Sequence, residues 1–432
     1  MQIGAGNVAI VSENFITPDQ LCVGLYVQLE LGWMDHPFTF SSFKIRSQDQ
    51  IDLLKKMRLP RIKYDPKKCS AKPLPPSEKP AEAPANADAA LDQMVDQVLT
   101  EKAARIEQLR SIRADIQQVE KKFVKVADSI KNITKNLQTN PEEAVKETNA
   151  VVKQMVETML EGGDIMLHAI SEKLGEDAYF HSLNVSVLSL MLAKAAELDA
   201  ELIEQIGLGA ILHDIGKSEV PYKIVMKTDP LTKPEQAMLE RHCEFGARQA
   251  AKMQLSAEAL SIIQQHHECA DGTGYPAKLK GDAMTMPAKV VAIANTYDNL
   301  CNPINITAAI TPSEALSQMF ALKRAKFDDR LLKLFIKRLG IYPPGSLVQL
   351  SNEMIGLVVS VNSEQPLKPN VLVYDSTIPK DDALIVCMES EPELKVAKSL
   401  RPAQLPRQIH QYLNPRKNVT YYFDPKSKGS RP

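Results

Sequence analysis

The sequence predicts a mainly α-helical protein with a small β-rich unit on either side of its helical region. Apolar residues recur every three or four positions from about residue 91 to 340. Short stretches before residue 68 and after residue 343 instead alternate apolar and polar side chains. At 432 residues and 44% hydrophobic content, the chain is long enough for about three domains with cores of their own.

The composition argues against several classes of function. The 52 Lys and Arg residues against 53 Asp and Glu give a net charge of -1, so no overall positive charge draws the chain onto DNA. The six cysteines form no Cys-x-x-Cys pair, which disfavours a disulfide framework or a thiolate zinc site. No leader-peptide pattern and no apolar run of about 18 residues occur, so we predict a cytoplasmic protein without a membrane span.

Residues 1–68 are predicted to form the N-terminal β-rich domain. Within it, residues 24–29 alternate apolar and polar side chains, and glycine and proline interrupt the runs around them. Residues 69–90 are rich in proline and alanine, a composition that favours an extended backbone and cannot assemble a core. We therefore predict a linker over this stretch.

A long helix is predicted over residues 91–140. Its apolar residues are spaced alternately by three and four, which keeps one narrow seam on a partner helix for about four heptads. The seam consists of Leu109, Ile112, Ile116, Val119, Phe123, Val126, Ile130, Ile133 and Leu137. We therefore predict a coiled coil over residues 91–140 that joins two copies of the chain, and the alternative is a long helix packed on its own globular domain.

Residues 141–342 are predicted to form a helical domain, because helix-start signals recur along them. Thr311, Pro312 and Glu314 make one such signal, a capping box with proline in the first turn. After residue 343 the period of two returns, which predicts a small β unit over residues 343–400. Residues 401–432 are rich in Pro, Arg and Lys, and we expect a loosely held polar tail.

Histidines concentrate in the helical domain, where six of the eight lie between residues 168 and 267. A single inward histidine is usually a satisfied core residue. Burying five imidazoles and two carboxylates together without a cation, however, leaves costly unsatisfied groups. Mixed imidazole and carboxylate ligation suits iron, manganese or zinc. We therefore predict a polynuclear metal site from Asp177, His181, His213, Asp214, His242, His266 and His267.

Two motifs carry a resemblance to a known family. The first runs His213-Asp214-Ile215-Gly216-Lys217, and the second is the eleven-residue string from His266 to Pro276 that contains Gly274-Tyr275-Pro276. Together they resemble the HD-GYP branch of the HD metal-dependent phosphohydrolases, and the similarity extends from about residue 150 to 340. The N-terminal region resembles a small domain of unassigned function that often precedes HD-GYP modules in bacteria.

The resemblance implies a helical domain that holds two or three divalent ions, iron or manganese. Such a domain hydrolyses cyclic di-GMP to the linear dinucleotide pGpG and/or GMP in bacterial second-messenger signalling. Cyclic di-GMP is then the ligand, and the implied protein partners are a second copy of the chain and a diguanylate cyclase or other signalling protein.

The resemblance also implies a role for individual residues. Asp214 bridges two metals, and Lys217 contacts the substrate phosphate. The implied metal ligands are Asp177, His181, His213, Asp214, His242, His266, His267 and Asn295. The substrate pocket is implied at Lys217, Asp271, Gly272, Gly274, Tyr275 and Pro276. Glu268 and Asp298 are expected just outside the ligands, with Glu268 orienting His267.

Two departures from the family pattern bear on activity. Asn295 stands where the family has a metal-binding aspartate, and its amide oxygen brings no charge, so metal affinity should fall or one ion be lost. Residues 301–307 contain no cation where the family has phosphate-gripping Arg and Lys, a loss of roughly 1.5–3 kcal/mol per charged hydrogen bond. An active phosphodiesterase with a modified site, and a degenerate module that binds nucleotide or a partner protein without turnover, therefore both fit the sequence.

Overall fold

The computed structural model describes residues 14–31, 36–38, 40–76, 87–137, 139–160, 165–167, 178–361, 365–376, 378–380, 383–413 and 421–423. The chain separates into two compact units, Met1–Ser111 with Asp375–Ala383, and Ile112–Tyr374 with Leu384–Pro432. The described residues are mainly helical, with one small antiparallel sheet in the N-terminal part and another formed largely by the C-terminal part. The predicted fold class is confirmed at this level.

The N-terminal unit contains a four-stranded antiparallel sheet and one short helix. Its elements are β1 (Phe15–Ile16), β2 (Tyr26–Gln28), β3 (Ser42–Lys44), α1 (Gln48–Lys56) and β4 (Ile62–Tyr64), and the strand order is β1-β4-β2-β3. Val27 in β2 is buried between half-buried neighbours, as the alternating sequence pattern predicts. Ser47 caps α1 by accepting a hydrogen bond from the Gln50 amide, and the buried face of α1 contributes Ile51 and Leu54 to the core.

The long helix α2 (Ala87–Asn136) begins inside the stretch predicted as linker, and α3 (Pro141–Leu160) follows it. The last five seam residues, from Phe123 to Leu137, are buried in the core of the helical domain. The Phe123 ring stacks on Phe180 with 5.8 Å between ring centroids. A helix packed on its own domain is therefore the correct interpretation for this half of the seam. The side chains of the other four seam residues lie outside the described residues, and a coiled coil there stays a prediction.

The second unit is built around a helical core. Its remaining helices are α4 (Ala178–Ala195), α5 (Ala200–Leu212), α6 (Tyr222–Val225), α7 (Lys233–Glu240), α8 (His242–Lys252), α9 (Ala257–Gln265), α10 (Met286–Cys301), α11 (Pro312–Ala321), α12 (Asp329–Leu339) and α13 (Arg407–Leu413). The predicted capping box at Thr311 and Glu314 is present at the start of α11. Among the described helices, none is both long and apolar enough to cross a membrane.

The second sheet has seven antiparallel strands and draws on distant parts of the chain. Its strands are β5 (Ile165–Leu167), β6 (Leu347–Leu350), β7 (Ile355–Ser360), β8 (Asn370–Val373), β9 (Ile385–Cys387), β10 (Val396–Leu400) and β11 (Tyr421–Phe423). The order is β10-β6-β7-β5-β11, with β8 beside β7 and β9 beside β8. The sequence did not predict β5, because a three-residue strand between helices carries no periodic signal.

Two described segments after position 400 are ordered elements, although the sequence predicts a loose polar tail there. Arg407–Leu413 form α13, whose Leu413 is buried against Leu347 and Leu357, and Tyr421–Phe423 form β11, which pairs with β5. A few apolar residues suffice to dock such a segment, although the average composition around them is polar.

Candidate metal centre

The ends of four helices bring imidazole and carboxylate groups together. His181 lies near the start of α4, and His242 is the first residue of α8. His213 and His266 are the C-terminal cap residues of α5 and α9, so Asp214 and His267 follow directly after those helices. Of the predicted metal ligands, His181, His213, Asp214, His242, His266 and His267 thus meet at one place. Asp177 lies outside the described residues.

The carboxylate of Asp214 faces two separate groups of imidazoles. Its Oδ2 lies 3.3 Å from His213 Nε2 and 3.8 Å from His181 Nε2. Its Oδ1 lies 3.4 Å from His242 Nε2 and 3.7 Å from His266 Nε2. The first group is therefore His181, His213 and Asp214, and the second is Asp214, His242, His266 and His267, with the ligand atoms of each group within 4.8 Å of one another. This arrangement suits a carboxylate that bridges two ions.

Hydrogen bonds on the outer nitrogens determine how four of the imidazoles are protonated. The Nδ1 contacts are His181 to Asp298 Oδ2 (2.6 Å), His213 to Ala210 O (2.7 Å), His242 to Leu239 O (2.6 Å) and His266 to Ile263 O (3.1 Å). Carbonyl and carboxylate oxygens only accept, so each Nδ1 carries the hydrogen. In the neutral imidazole each Nε2 then presents a lone pair to the interior, which is the tautomer that metal ligation requires.

These lone pairs converge at short distances. His181 Nε2 lies 3.2 Å from His213 Nε2, and His242 Nε2 lies 3.2 Å from His266 Nε2. Two ring nitrogens that face each other with lone pairs at this distance repel, because neither has a hydrogen to donate. In addition, the buried Oδ1 of Asp214 accepts no hydrogen bond from the residues that the structure describes. One cation in each group would satisfy these atoms, so the residues present fit a metal centre of two ions.

The charge states of the site also favour cation binding. Burial raises the pKa of Asp214, but the neighbouring His213 ring and the ammonium of Lys217 outweigh it and hold this pKa well below its usual value. Burial lowers the pKa of His266 to about 3, and burial with the neighbouring imidazoles lowers that of His267. At neutral pH the carboxylate is therefore ionised and these imidazoles are neutral, the forms that bind divalent metals.

A tight turn holds Asp214 against α8. Residues Ile215–Glu219 form a 3-10 helix, and a Cβ on Gly216 would lie only 1.9 Å from the His242 carbonyl oxygen. Only glycine allows this approach, which sets the distance between Asp214 and His242. Lys217 donates from Nζ to Asp214 Oδ2 over 2.5 Å, so the predicted substrate lysine lies at the metal centre. Its ammonium is partly exposed and can also reach an anion outside.

Asp298 orients His181 from the opposite side. It is fully buried on α10, and its Oδ1 accepts hydrogen bonds from Asn184 Nδ2 (2.8 Å) and Asn302 Nδ2 (2.7 Å). Sequence analysis placed Asp298 near the ligands but missed the two asparagines. Helical spacing offered a signal, since Asn184 follows His181 by three residues and Asn302 follows Asp298 by four.

Glu268 has partners that the sequence did not indicate. It is buried, and its two oxygens accept hydrogen bonds from the backbone amides of Ala277 (2.6 Å) and Leu279 (2.9 Å). The carboxylate therefore anchors the chain after Pro276, whereas sequence analysis expected it to orient His267.

The predicted pocket segment lies directly on the metal centre. The Tyr275 ring stacks on His267 with 4.6 Å between centroids, and the Tyr275 amide donates to the His267 carbonyl oxygen over 3.2 Å. A Cβ on Gly274 would lie 2.4 Å from the Cys269 nitrogen, so this close approach requires glycine. Gly272 adopts φ +78°, and Asp271 accepts a hydrogen bond from the Thr273 amide. The peptide bond between Tyr275 and Pro276 is cis.

The helical unit brings histidines and an aspartate together as a candidate metal centre, and two family models match the chain. Residues 134–331 match the HD domain family, and residues 15–148 match a domain of unknown function, DUF3391. The chain thus carries an HD domain with an N-terminal DUF3391, and the resemblance found from its motifs is confirmed.

Similar proteins include cyclic dinucleotide phosphodiesterases. The chain is 33% identical over 228 residues to cyclic di-GMP phosphodiesterase PA4108 of Pseudomonas aeruginosa. The aligned region covers 52% of this chain and 55% of that protein. The chain is 31% identical over 144 residues to 3'3'-cGAMP-specific phosphodiesterase 2 of Vibrio cholerae, covering 33% of this chain and 27% of that protein. The chain therefore spans about half, or less, of the length of these relatives.

A solved structure is also similar. Bd1817, a HDG"Y"P protein from Bdellovibrio bacteriovorus, is 18% identical to the chain, with a TM-score of 0.43. The similarity covers 75% of this chain and 98% of Bd1817.

Proposed function

We propose that the chain is a metal-dependent phosphodiesterase that hydrolyses cyclic di-GMP to pGpG and/or GMP. The observation that carries this proposal is the position of Asp214, whose two carboxylate oxygens each face a separate group of imidazole nitrogens. The names of the relatives support the substrate class, a cyclic dinucleotide. Two divalent ions, iron or manganese, are the proposed cofactors, and a third would need ligands beyond these two groups.

The ligands divide between two positions. His181 and His213 would hold one ion with Asp214 Oδ2, and His242, His266 and His267 would hold the other with Oδ1. When bound, the pair of ions supplies a water of near-neutral pKa and screens the phosphodiester oxygens. Asp298 Oδ2 accepts a hydrogen bond from His181 Nδ1. This bond keeps His181 Nε2 turned toward the ion position that it would share with His213 and Asp214.

The surrounding residues would bind and position the nucleotide. Lys217 places an ammonium group beside Asp214 and can bind a non-bridging phosphate oxygen. The segment Gly272–Pro276 lies over His267, and Tyr275 offers an aromatic face next to the centre. We assign the substrate pocket to this segment with Asp271. Glu268 keeps the segment in place through the Ala277 and Leu279 amides.

The bounds of the catalytic domain, the oligomeric state, the location and the protein partner are also proposals. We assign catalysis to residues 141–342, a homodimer contact to the seam from Leu109 to Val119, and a location in the cytoplasm. A diguanylate cyclase or another signalling protein is the proposed partner.

Product analysis with a defined metal load tests the function. The purified chain, reconstituted with Fe²⁺ or Mn²⁺, is incubated with cyclic di-GMP and separately with 3'3'-cGAMP, and the products are separated by chromatography. We expect pGpG or GMP from cyclic di-GMP, and no product from an Asp214→Asn variant, which loses the charge of the bridge. Release of product from 3'3'-cGAMP alone would show that this nucleotide, and not cyclic di-GMP, is the substrate.

A second function is favoured by two features of the sequence. Asn295 replaces an anionic ligand of the family, and residues 301–307 contain no cation. A module that binds the nucleotide or a partner protein without hydrolysis fits both. A fully metal-loaded chain that binds cyclic di-GMP but releases no product from either nucleotide would establish this second function and exclude the first.

A further inference from the structure

One face of the N-terminal sheet carries aromatic and basic side chains together. Ile16, Val27 and Ile62 are buried in the core on the other side of the sheet, so the residues next to them in β1, β2 and β4 point away from that core. We call this side the outward face. Its residues are Phe15, Tyr26, Gln28, Ser42, Lys44, Arg61 and Lys63.

The strand register places a lysine opposite each aromatic residue. Phe15 in β1 lies opposite Lys63 in β4, and Tyr26 in β2 lies opposite Lys44 in β3. Side chains of residues directly opposite each other in an antiparallel pair lie on the same face and are close neighbours. Aromatic and basic groups are therefore interleaved across the four strands.

The aromatic rings hold cations against the outward face. The guanidinium carbon of Arg61 lies 4.1 Å from the Phe15 ring centroid, and Lys63 Nζ lies 5.9 Å from the same centroid. Lys68 Nζ lies 4.9 Å from the Tyr26 ring centroid. All three distances are in the range of cation–π contacts. A guanidinium that rests on a ring keeps its N–H groups at its edge and its second flat side toward solvent.

Carboxylates neutralise only part of this charge. Glu30 lies 3.6 Å from Lys63 Nζ, and Asp65 accepts a hydrogen bond from the Lys67 amide over 3.0 Å. Within the part of the chain that the structure describes, neither Arg61 nor Lys44 forms an ion pair.

The surrounding sequence is also basic. Residues 40–72 contain ten Lys and Arg against three Asp and Glu, whereas the rest of the chain contains 42 against 50. The net charge of -1 is therefore an average over a basic segment and an acidic remainder. A local excess of positive charge attracts anions even when the whole chain is nearly neutral.

We propose that the outward face of the N-terminal sheet binds single-stranded nucleic acid. Its cations would contact the phosphates, and a base would stack on the exposed side of the Arg61 guanidinium. A single strand offers both a row of phosphates and flat bases, which is what interleaved basic and aromatic groups recognise. A lipid surface fits less well, because Phe15 lies beneath Arg61 and cannot insert. An acidic peptide would match the charge, but Asp and Glu side chains offer no flat ring to stack on Arg61.

Salt dependence of binding tests the phosphate contacts. The full chain is titrated into a fluorescently labelled single-stranded RNA of about twelve nucleotides, and anisotropy gives the affinity at several salt concentrations. Four contacts, from Lys44, Arg61, Lys63 and Lys68, predict a slope of log affinity against log salt of about −2.8. We expect Arg61→Gln to bind on the order of tenfold more weakly and to reduce the steepness of the slope by about 0.7. The exposed Lys398→Gln on β10 makes the same change in charge and should match the natural chain.

A second variant tests the stacking. Phe15→Leu leaves the charge unchanged but removes the ring under Arg61, so affinity should fall severalfold while the salt slope stays the same. Absence of RNA binding, or equal binding by Arg61→Gln and Lys398→Gln, overturns the proposal. Displacement of the RNA by polyglutamate at equal charge would identify an acidic protein as the partner, and binding to phosphatidylserine vesicles without RNA binding would identify a membrane. Either result also overturns the proposal, which does not depend on the metal centre or on phosphodiesterase activity.

Discussion

Asp298 and His181 are joined by a hydrogen bond of 2.6 Å although 117 positions separate them in the sequence. The bond fixes the hydrogen of His181 on Nδ1 and leaves Nε2 as a lone-pair donor toward His213 and Asp214. Because Asp298 also accepts from Asn184 and Asn302, one buried carboxylate satisfies three donors from two helices.

Replacing Asp298 with asparagine should weaken metal binding. The three donors would then share a single oxygen, since the other atom of the amide is itself a donor. We expect metal affinity to fall roughly 10- to 100-fold, and chelator competition measures it. A variant that retains the metal affinity of the natural chain would show that Asp298 does not orient His181.

Removing the metal should destabilise the protein. Without cations, the facing imidazole nitrogens and the buried Asp214 Oδ1 lack partners. Each ion present at a hundred times its dissociation constant should contribute about 2.7 kcal/mol to the free energy of unfolding. Thermal unfolding with and without Mn²⁺ measures this, and Asp214→Asn should respond much less. Equal melting temperatures of the natural chain in both conditions would contradict the metal centre.

Adding a methyl group at Gly216 should disturb the centre. Because the new Cβ would lie 1.9 Å from the His242 carbonyl oxygen, the turn and α8 must move apart. We expect Gly216→Ala to lose about 1–3 kcal/mol of unfolding free energy and to bind metal less tightly. Urea unfolding measures the stability. Gly281→Ala is the control, since its Cβ would meet no atom closer than 3.8 Å. Equal stability of the two variants would disprove the close approach.

Glu268→Gln should loosen the segment over His267. A glutamine keeps only one acceptor oxygen, so either the Ala277 or the Leu279 amide faces an NH₂ group. We expect a loss of about 1–3 kcal/mol in urea unfolding together with lower nucleotide turnover. The exposed Glu393→Gln serves as the control and should change neither. A fall in metal content with unchanged turnover per ion would instead favour a role at His267.

The C-terminal helix should contribute to stability. Leu413 is 3% exposed and packs on Leu347 and Leu357, so Leu413→Ala should cost about 2–5 kcal/mol. The control Leu367→Ala, at a residue that is 56% exposed, should change the free energy of unfolding by less than about 0.5 kcal/mol. An unchanged free energy of unfolding in Leu413→Ala would show that the C-terminal segment is loosely held.

Local patterns were sufficient for much of the fold and the site. Helical spacing, the capping box at Thr311 and the period-two stretches identified the element types, because these signals depend on neighbours within a few residues. The concentration of histidines in the helical domain also identified six ligands that the structure brings together, since burying so many imidazoles requires a shared cation.

Contacts between distant residues decided the rest. The spacing of an apolar seam does not identify the surface that it packs on. Only the packed structure shows that the seam residues from Phe123 to Leu137 are buried in the core of their own domain. In the same way, β5 joins the C-terminal sheet across nearly 200 residues, to Ser360, through a pairing that no local spacing encodes. The roles of Asp298 and Glu268 depend on which donors approach each oxygen, and that geometry exists only once the chain has folded.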